Sequence, residues 1–374
     1  MEGLQKPTGV SSMNRKTRSL ISVCFFGFLF YSCAHVGNNV SPSPQGSLFV
    51  TPELEVRVLS LNPDAISERE VAEVLSKCPA PRVFSFDGSV PIVTMESFGR
   101  FLVRMGYPEA SIRDPRNGSY SYSSYRSSAE MAGMVAWYYE KEGMRPMIIG
   151  HSQGGMLSVK ILHELAGAFR EEIEVTNPYT GQSENRRSLT DPLSGKERPV
   201  VGLKLGFASA IATGKGVRFV LAQWNMLSRL RKIPDTVEEF VGFHLQNDLI
   251  SGTLFGVGQG DQYTPVGSAK VRNIVLPPES NHLGIILIEG LGKNDQTRAW
   301  INSYGPSNEP FQPPPAFEGE TRNILFAAEV WFNIKKHWCL ELKRWILAGK
   351  ATGSPAFLPV GRGGEGVELH KKHG

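Results

Sequence analysis

Along the chain, short apolar runs alternate with segments whose apolar residues recur every three or four positions. Leu54, Val56 and Val58 alternate with Glu55 and Arg57, which predicts an opening strand. From Ala65 to Cys78, Ser67 and Glu70 stand three apart as a capping box ahead of Val71, Val74 and Leu75 at helical spacing. Arg82-Val83-Phe84-Ser85-Phe86 reads as a strand and Asp87-Gly88-Ser89-Val90-Pro91 as a loop. Phe98, Phe101, Leu102 and Met105 then mark a helix ending at Gly106. Ala110–Arg113 predicts a further short strand, closed by Asp114-Pro115. Ser127 to Glu130 caps a helix running to about Tyr139, which Gly143 stops.

The pattern continues in the same rhythm. Met147-Ile148-Ile149 is an apolar run that stops at Gly150, and Met156, Leu157, Val159, Ile161, Leu162 and Leu165 follow as an apolar helix ending near Gly167. Glu171–Arg198 is polar and turn-rich and reads as a surface excursion. Val200–Phe207 returns to the sheet, and Phe219 to Leu230 has helical periodicity, closed by Ile233-Pro234. Phe240–Asp248 predicts a strand with a polar tip, and Val271–Leu276 another, followed by the loop Pro277–His282. Leu283 to Leu291 starts a helix extending towards Trp300. After the prolines 310 to 315, a long helix runs from about Thr321 to Ala348. Strands and helices alternating at these intervals predict an α/β fold with a mostly parallel central sheet, covered by helices on both faces.

Within this framework, Gly150-His151-Ser152-Gln153-Gly154 falls between the apolar run and the helix. With 39 glycines in 374 residues, a bare Gly-x-Ser-x-Gly arises by chance about once in every few such chains. The strand before it and the helix after it are what give it weight. This stretch resembles the nucleophile elbow of the α/β-hydrolase superfamily, in which a serine stands on a tight strand-to-helix turn. The resemblance spans roughly residues 54–348 and implies the α/β-hydrolase fold, Ser152 as nucleophile and an acid and a histidine later in the chain, each just after a strand. His282, on the loop after Ile274–Leu276, fits the base. Asp248, ending its strand ahead of Leu249-Ile250, is preferred as the acid over Asp261, which sits deep in a glycine-rich loop.

The oxyanion donors implied are the backbone N–H of Gln153 and one from Gly88 or Ser89, on the loop after Val83–Phe86. That loop carries Asp87 where the family often has histidine. The segment 208–238 is expected either to cap the pocket or to pack as a crossover helix, with Phe207, Phe219, Trp224 and Leu227 as candidates for an acyl pocket. The activity implied is cleavage of a carboxylic ester, a lipid or a small ester, through an acyl-enzyme. The same residues would also serve an acyltransferase, and the scaffold would also suit a catalytically silent protein binding a lipid or a partner.

Composition narrows the setting. The hydrophobic share of 41%, a charged share of 20% and a net charge of +4 suit a globular body and give no basic surface for nucleic acid. No His-Glu-x-x-His, paired Cys-x-x-Cys or phosphate loop occurs, so no metal or cofactor is expected. Asn14-Arg15-Lys16-Thr17-Arg18 precedes 12 apolar or nearly apolar residues, Leu20 to Tyr31. Those are too few to span a bilayer, which takes about 20, and they suit a signal-peptide core, with Met13 an alternative start. Phe30-Tyr31-Ser32-Cys33-Ala34 resembles a bacterial lipoprotein cleavage site, with Phe30 and Tyr31 departing from its usual residues. Residues 1–33 are therefore expected to direct export, with either lipidation at Cys33 and attachment to a membrane of the cell envelope, or ordinary cleavage nearby. Residues 34–53 read as a tether and 349–374 as a disordered tail. Cys78 and Cys339 are left either to pair or to stand as separate buried thiols.

Overall fold

The computed structural model describes residues 50–90, 93–214, 223–253, 256–307 and 321–352. The signal and lipidation region, most of the tether, Phe219, the proline-rich stretch and residues 353–374 lie outside them.

The centre is a five-stranded, wholly parallel sheet. In chain order its strands are β1 (Val83–Phe86), β2 (Met147–His151), β5 (Leu205–Ile211), β7 (Val237–His244) and β9 (Lys270–Val275), and they lie side by side in that same order. Register is continuous: Phe86 pairs with Gly150, Gly150 with Ala210, Ala210 with Gly242 and Gly242 with Asn273. Every carboxyl end therefore faces the same edge of the sheet. Two small ribbons sit outside it, the antiparallel pair β3 (Ser188–Thr190) and β4 (Glu197–Pro199) in the polar excursion, and the parallel pair β6 (Lys232–Pro234) and β8 (Thr264–Val266).

Because strand side chains alternate between faces, the sheet divides the apolar residues into two cores. Val83, Met147, Ile149, Phe207, Val241 and Phe243 pack on one face beneath α3 (Glu96–Arg104) and the 29-residue terminal helix α8 (Ile324–Thr352). Phe84, Phe86, Ile148, Ala208, Ala210 and Phe240 pack on the other, against α4 (Ser128–Glu142) and α5 (Gln153–Leu165). The capping signals are realised. Ser67 and Glu70 form a reciprocal capping box at α2 (Glu68–Glu73), Ser127 caps α4, and Gly143, at φ 73°, ends it in the left-handed conformation. Cys78 and Cys339 are both free thiols, deep in the first core.

Several local readings are corrected. Leu54–Val58 is not a strand but part of helix α1 (Pro52–Ser60): Thr51 caps it by accepting from the Leu54 N–H, Pro52 opens the first turn, and Glu53 and Glu55 sit at the positive end. Three alternating residues were too short a run to separate the two periods. The tether consequently ends near Val50, which is already in the core. Ala110–Arg113 is a 3₁₀ turn over Glu109–Ser111, held by local bonds from Ser111 N–H to the Pro108 carbonyl and from Ile112 N–H to that of Glu109. The periodic stretch ahead of Leu230 shows only a 3₁₀ turn over Trp224–Met226 among its described residues. Of the segment read as a cap, 208–211 belongs to β5 and 237–238 to β7, both in the central sheet. Residues 283–286 are turns and 287–288 irregular, and helix begins later, as α6 (Glu289–Lys293) and α7 (Asp295–Ser303). The terminal helix runs on to Thr352, past Gly349, where the tail was expected to start.

In α1 the two valines have opposite environments, Val56 being 66% exposed and Val58 fully buried. Truncating Val58 to alanine is expected to cost about 2 kcal/mol, and truncating Val56 within about 0.5 kcal/mol of nothing. Equal losses by urea denaturation would restore the strand reading, in which the two share a face.

Candidate active site

The sharp turn between β2 and α5 is built from glycines. A Cβ on Gly150 would collide with the carbonyl of Gly154, and one on Gly154 with the carbonyls of Phe86 and Asp87. Only bare backbone lets the start of α5 lie this close to β2 and to the loop after β1. Between them Ser152 adopts φ 52°, ψ −113°, a conformation rare for a residue with a side chain. It is held there by its own N–H, which donates to the Ile211 carbonyl of β5 at 2.8 Å. Its hydroxyl is thereby presented at the carboxyl edge of the sheet.

Two further loops leave that edge and meet it. The loop after β7 carries Asp248, and the loop after β9 carries His282. The His282 Nε2 lies 2.9 Å from Ser152 Oγ, and its Nδ1 lies 2.7 Å from Asp248 Oδ2. An ionised carboxylate can only accept, so Nδ1 carries the imidazole proton and Nε2 is left to accept from the serine hydroxyl. Side chains 130 and 34 residues from His282 in sequence thus form one hydrogen-bonded chain. All three residues are buried. Burial works against ionisation of Asp248, but the bonds from His282 and Ser251 outweigh it and hold the carboxyl below its usual range. The Ile250 N–H donates to its other oxygen at 2.9 Å. The expected acid alternative, Asp261, lies elsewhere, in the 3₁₀ turn Gln259–Asp261, where its carboxylate accepts from the Gly258 N–H.

The supports of these loops are specific. Thr253 bonds back to Leu245 and Asp248, closing the acid loop on itself. Beyond His282, the Asn281 side chain accepts from the Gly284 N–H, and the Gly284 carbonyl accepts from Asn323 just ahead of α8. His151, inside the Gly-x-Ser-x-Gly stretch, has a role that its sequence position did not disclose. Its Nε2 is 2.8 Å from the His282 carbonyl and donates to it, tying the strand before Ser152 to the backbone of the histidine. Burial, reinforced by the neighbouring His282, lowers its pKa to about 4, so it is neutral.

The space above Ser152 is bounded by Gly88, whose Cβ position would lie 3.5 Å from the Ser152 Cβ and 3.1 Å from His151 Nδ1. Gln153 is the first residue of α5, so its N–H has no carbonyl one turn back within the helix. Gly88 and Ser89 are held from the other side, their carbonyls accepting from the Ser124 hydroxyl and the Tyr125 hydroxyl. The residues considered for an acyl pocket are not assembled. Phe207 is in the core, stacked on His337, while Trp224 and Leu227 are exposed.

Asp87 braces the loop. Its carboxylate accepts from the Met95 N–H at 2.8 Å and from the Ser121 hydroxyl at 3.3 Å, yet burial still raises its pKa to about 6. A carboxyl with a raised folded pKa is comfortable when neutral, so its ionisation destabilises the fold as pH rises from about 4, where the unfolded group titrates, through about 6. Asp87→Asn is expected to have a higher melting temperature than wild type at pH 7.5, the difference vanishing near pH 4. A variant less stable than wild type at pH 7.5 would show that the loop needs the charge.

No family model matches this chain, and none of the curated proteins searched matches its sequence.

Proposed function

We propose that this chain is a serine hydrolase of the α/β-hydrolase type, cleaving carboxylic esters through an acyl-enzyme on Ser152. One observation carries the reading: Ser152, at the glycine-walled turn, is hydrogen-bonded to His282, which is hydrogen-bonded to Asp248. A serine hydroxyl is a weak nucleophile until an imidazole takes its proton, and the imidazole needs an acid to fix its tautomer and balance its charge. The sheet order, with nucleophile, acid and base following three different parallel strands in that sequence, agrees with this assignment.

In the mechanism this implies, Ser152 Oγ attacks the ester carbonyl as His282 Nε2 takes its proton. Negative charge develops on the carbonyl oxygen, next to the positive end of α5, where the N–H of Gln153 and one from Gly88 or Ser89 would receive it. Collapse expels the alcohol, which takes the proton back from His282, and leaves the acyl group on Ser152. Water, deprotonated by the same nitrogen, then releases the acid. Asp248 remains ionised throughout and stabilises the imidazolium. The basic stretch and apolar segment at the N-terminus support export, with Cys33 as the proposed point of lipid attachment, which would place the hydrolase at the cell envelope.

The test is labelling of the purified protein by a fluorophosphonate, together with hydrolysis of p-nitrophenyl butyrate. Wild type is expected to label and turn over. Ser152→Ala should lose labelling and about 10³-fold or more in kcat, His282→Ala a comparable amount, and Asp248→Asn about 10⁴-fold through the wrong tautomer. Unchanged hydrolysis by Ser152→Ala sinks the assignment. His151→Leu, which removes the donor to the His282 carbonyl but keeps bulk, should lower kcat by roughly tenfold to a hundredfold with KM little altered. A change confined to KM would place His151 in substrate binding instead.

A further inference from the structure

The first two turns of α5 present Gln153, Met156, Leu157 and Lys160 at positions i, i+3, i+4 and i+7, a single helix face. With the 124–126 segment and Gln223 they line a cavity of about 150 Å³. Its lining runs along α5 from Gln153, the residue after Ser152 in the chain, to Lys160. Seven residues at about 1.5 Å each place those two positions about 10 Å apart along the helix axis.

Among the described lining residues the charges are of one sign, although Arg126 is paired outside the cavity with Glu130 and Asp114. The Lys160 ammonium is half-buried and bonds to the neutral amide oxygen of Gln223 at 2.8 Å. The carboxylate one turn further on, Glu164, is engaged elsewhere, accepting from the Ser128 hydroxyl at 2.7 Å and paired with Arg170 at 2.8 Å. Arg126 uses one guanidinium nitrogen on Glu130. Its buried Nη1 makes no hydrogen bond among the described residues and stands 3.6 Å from Asp114. Among the described residues, two cations line the cavity and no carboxylate does. At the near end, Gln153 is 4% exposed and its Oε1 is buried with no hydrogen-bond partner among the described residues. A buried acceptor without a donor is costly and marks a place where a ligand would supply one. Met156 and Leu157 form an apolar floor between the two ends.

We propose that this cavity is a subsite for an anionic group, a carboxylate or a phosphate, borne by the ester that Ser152 cleaves. The inference rests on the serine-hydrolase reading and adds a substrate class to it. The anion would lie between Lys160 and Arg126, with an apolar stretch over Met156 and Leu157. A hydroxyl or amide N–H nearer the scissile carbonyl would serve Gln153 Oε1. The anion therefore belongs at the far end of the molecule, not on the carbon beside the ester. A charge pair of this kind steers binding and selects among substrates more than it adds raw affinity.

The experiment compares kcat/KM for pairs of esters of equal length, one ending in a methyl and the other in an anion. One series carries a terminal carboxylate on the acyl chain of a p-nitrophenyl ester, and a second carries a phosphate on the alcohol side. In whichever series uses the subsite, the anionic ester should be preferred about tenfold by wild type. That ratio should fall by about tenfold in Lys160→Met, and further in Lys160→Glu. The responding series tells which half of the substrate bears the charge. Ratios near one in both series, or a preference that the Lys160 variants leave intact, overturn the subsite while the hydrolase reading stands. If wild type neither labels with fluorophosphonate nor cleaves any ester, the hydrolase reading falls, and binding decides for the cavity. Glutarate or inorganic phosphate should then raise the melting temperature of wild type and not of Lys160→Met, and equal shifts, or none, reject the anion site.

Discussion

The site depends on how near two pieces of backbone can come. Where β2 hands over to α5, the helix start lies against the strand it has just left and against the loop after β1, a distance that no Cβ at Gly150 or Gly154 would permit. This contact fixes the strained backbone of Ser152, aims the end of α5 at the space beside its hydroxyl, and brings Gly88 to the opposite wall. Asp248 and His282 complete the hydrogen-bonded chain, but the position at which they must arrive is set by this crossing. The parallel sheet then makes their arrival straightforward, because loops leaving neighbouring strands at one edge have short distances to cover.

Much of this was legible in the sequence because long-range consequences followed from strong local signals. Glycines on both sides of a serine, between an apolar run and an apolar helix, leave few conformations open. Asp248 and His282 were traceable because each follows a strand whose apolar run is clear. What was missed failed for equally physical reasons. Leu54, Val56 and Val58 are compatible with either period, and the deciding contributions came from Thr51, Pro52 and burial of Val58 alone. Residues 283–288 resemble a helix in composition, yet Asn281 and Asn323 take up the Gly284 backbone there and delay helix until Glu289. His151 had no role legible in the sequence because its partner is a backbone carbonyl 131 residues away, which no side-chain pattern encodes.

Several polar groups of the interior tie the frame together across long separations. Arg145 reaches Glu341 of α8, Lys335 donates to the carbonyls of Ile66 and Asn302, and the Trp331 and Trp338 indoles bond to Asn302 and Pro79. Other buried polar atoms, such as Ser85 Oγ and the Tyr138 hydroxyl, have no hydrogen-bond partner among the described residues, and two of these adjoin Ser152. His151 Nδ1 and Gln153 Oε1 are buried without hydrogen-bond partners among the described residues, and the Asp87 carboxyl is held where charge is disfavoured. An unmet buried acceptor next to the strained serine is one that a ligand could satisfy, as a fully paired group could not.

The loop that carries His282 leans on Asn323, at the threshold of the terminal helix, and that helix packs with α3 on one face of the sheet. During synthesis the serine and its turn emerge well before this buttress does. Ser152 and its turn are therefore made early and His282 is secured late, when α8 has docked and the first core has closed. The hydrogen-bonded chain from Ser152 through His282 to Asp248 can therefore close only after the segment from His282 to α8 has been made and packed.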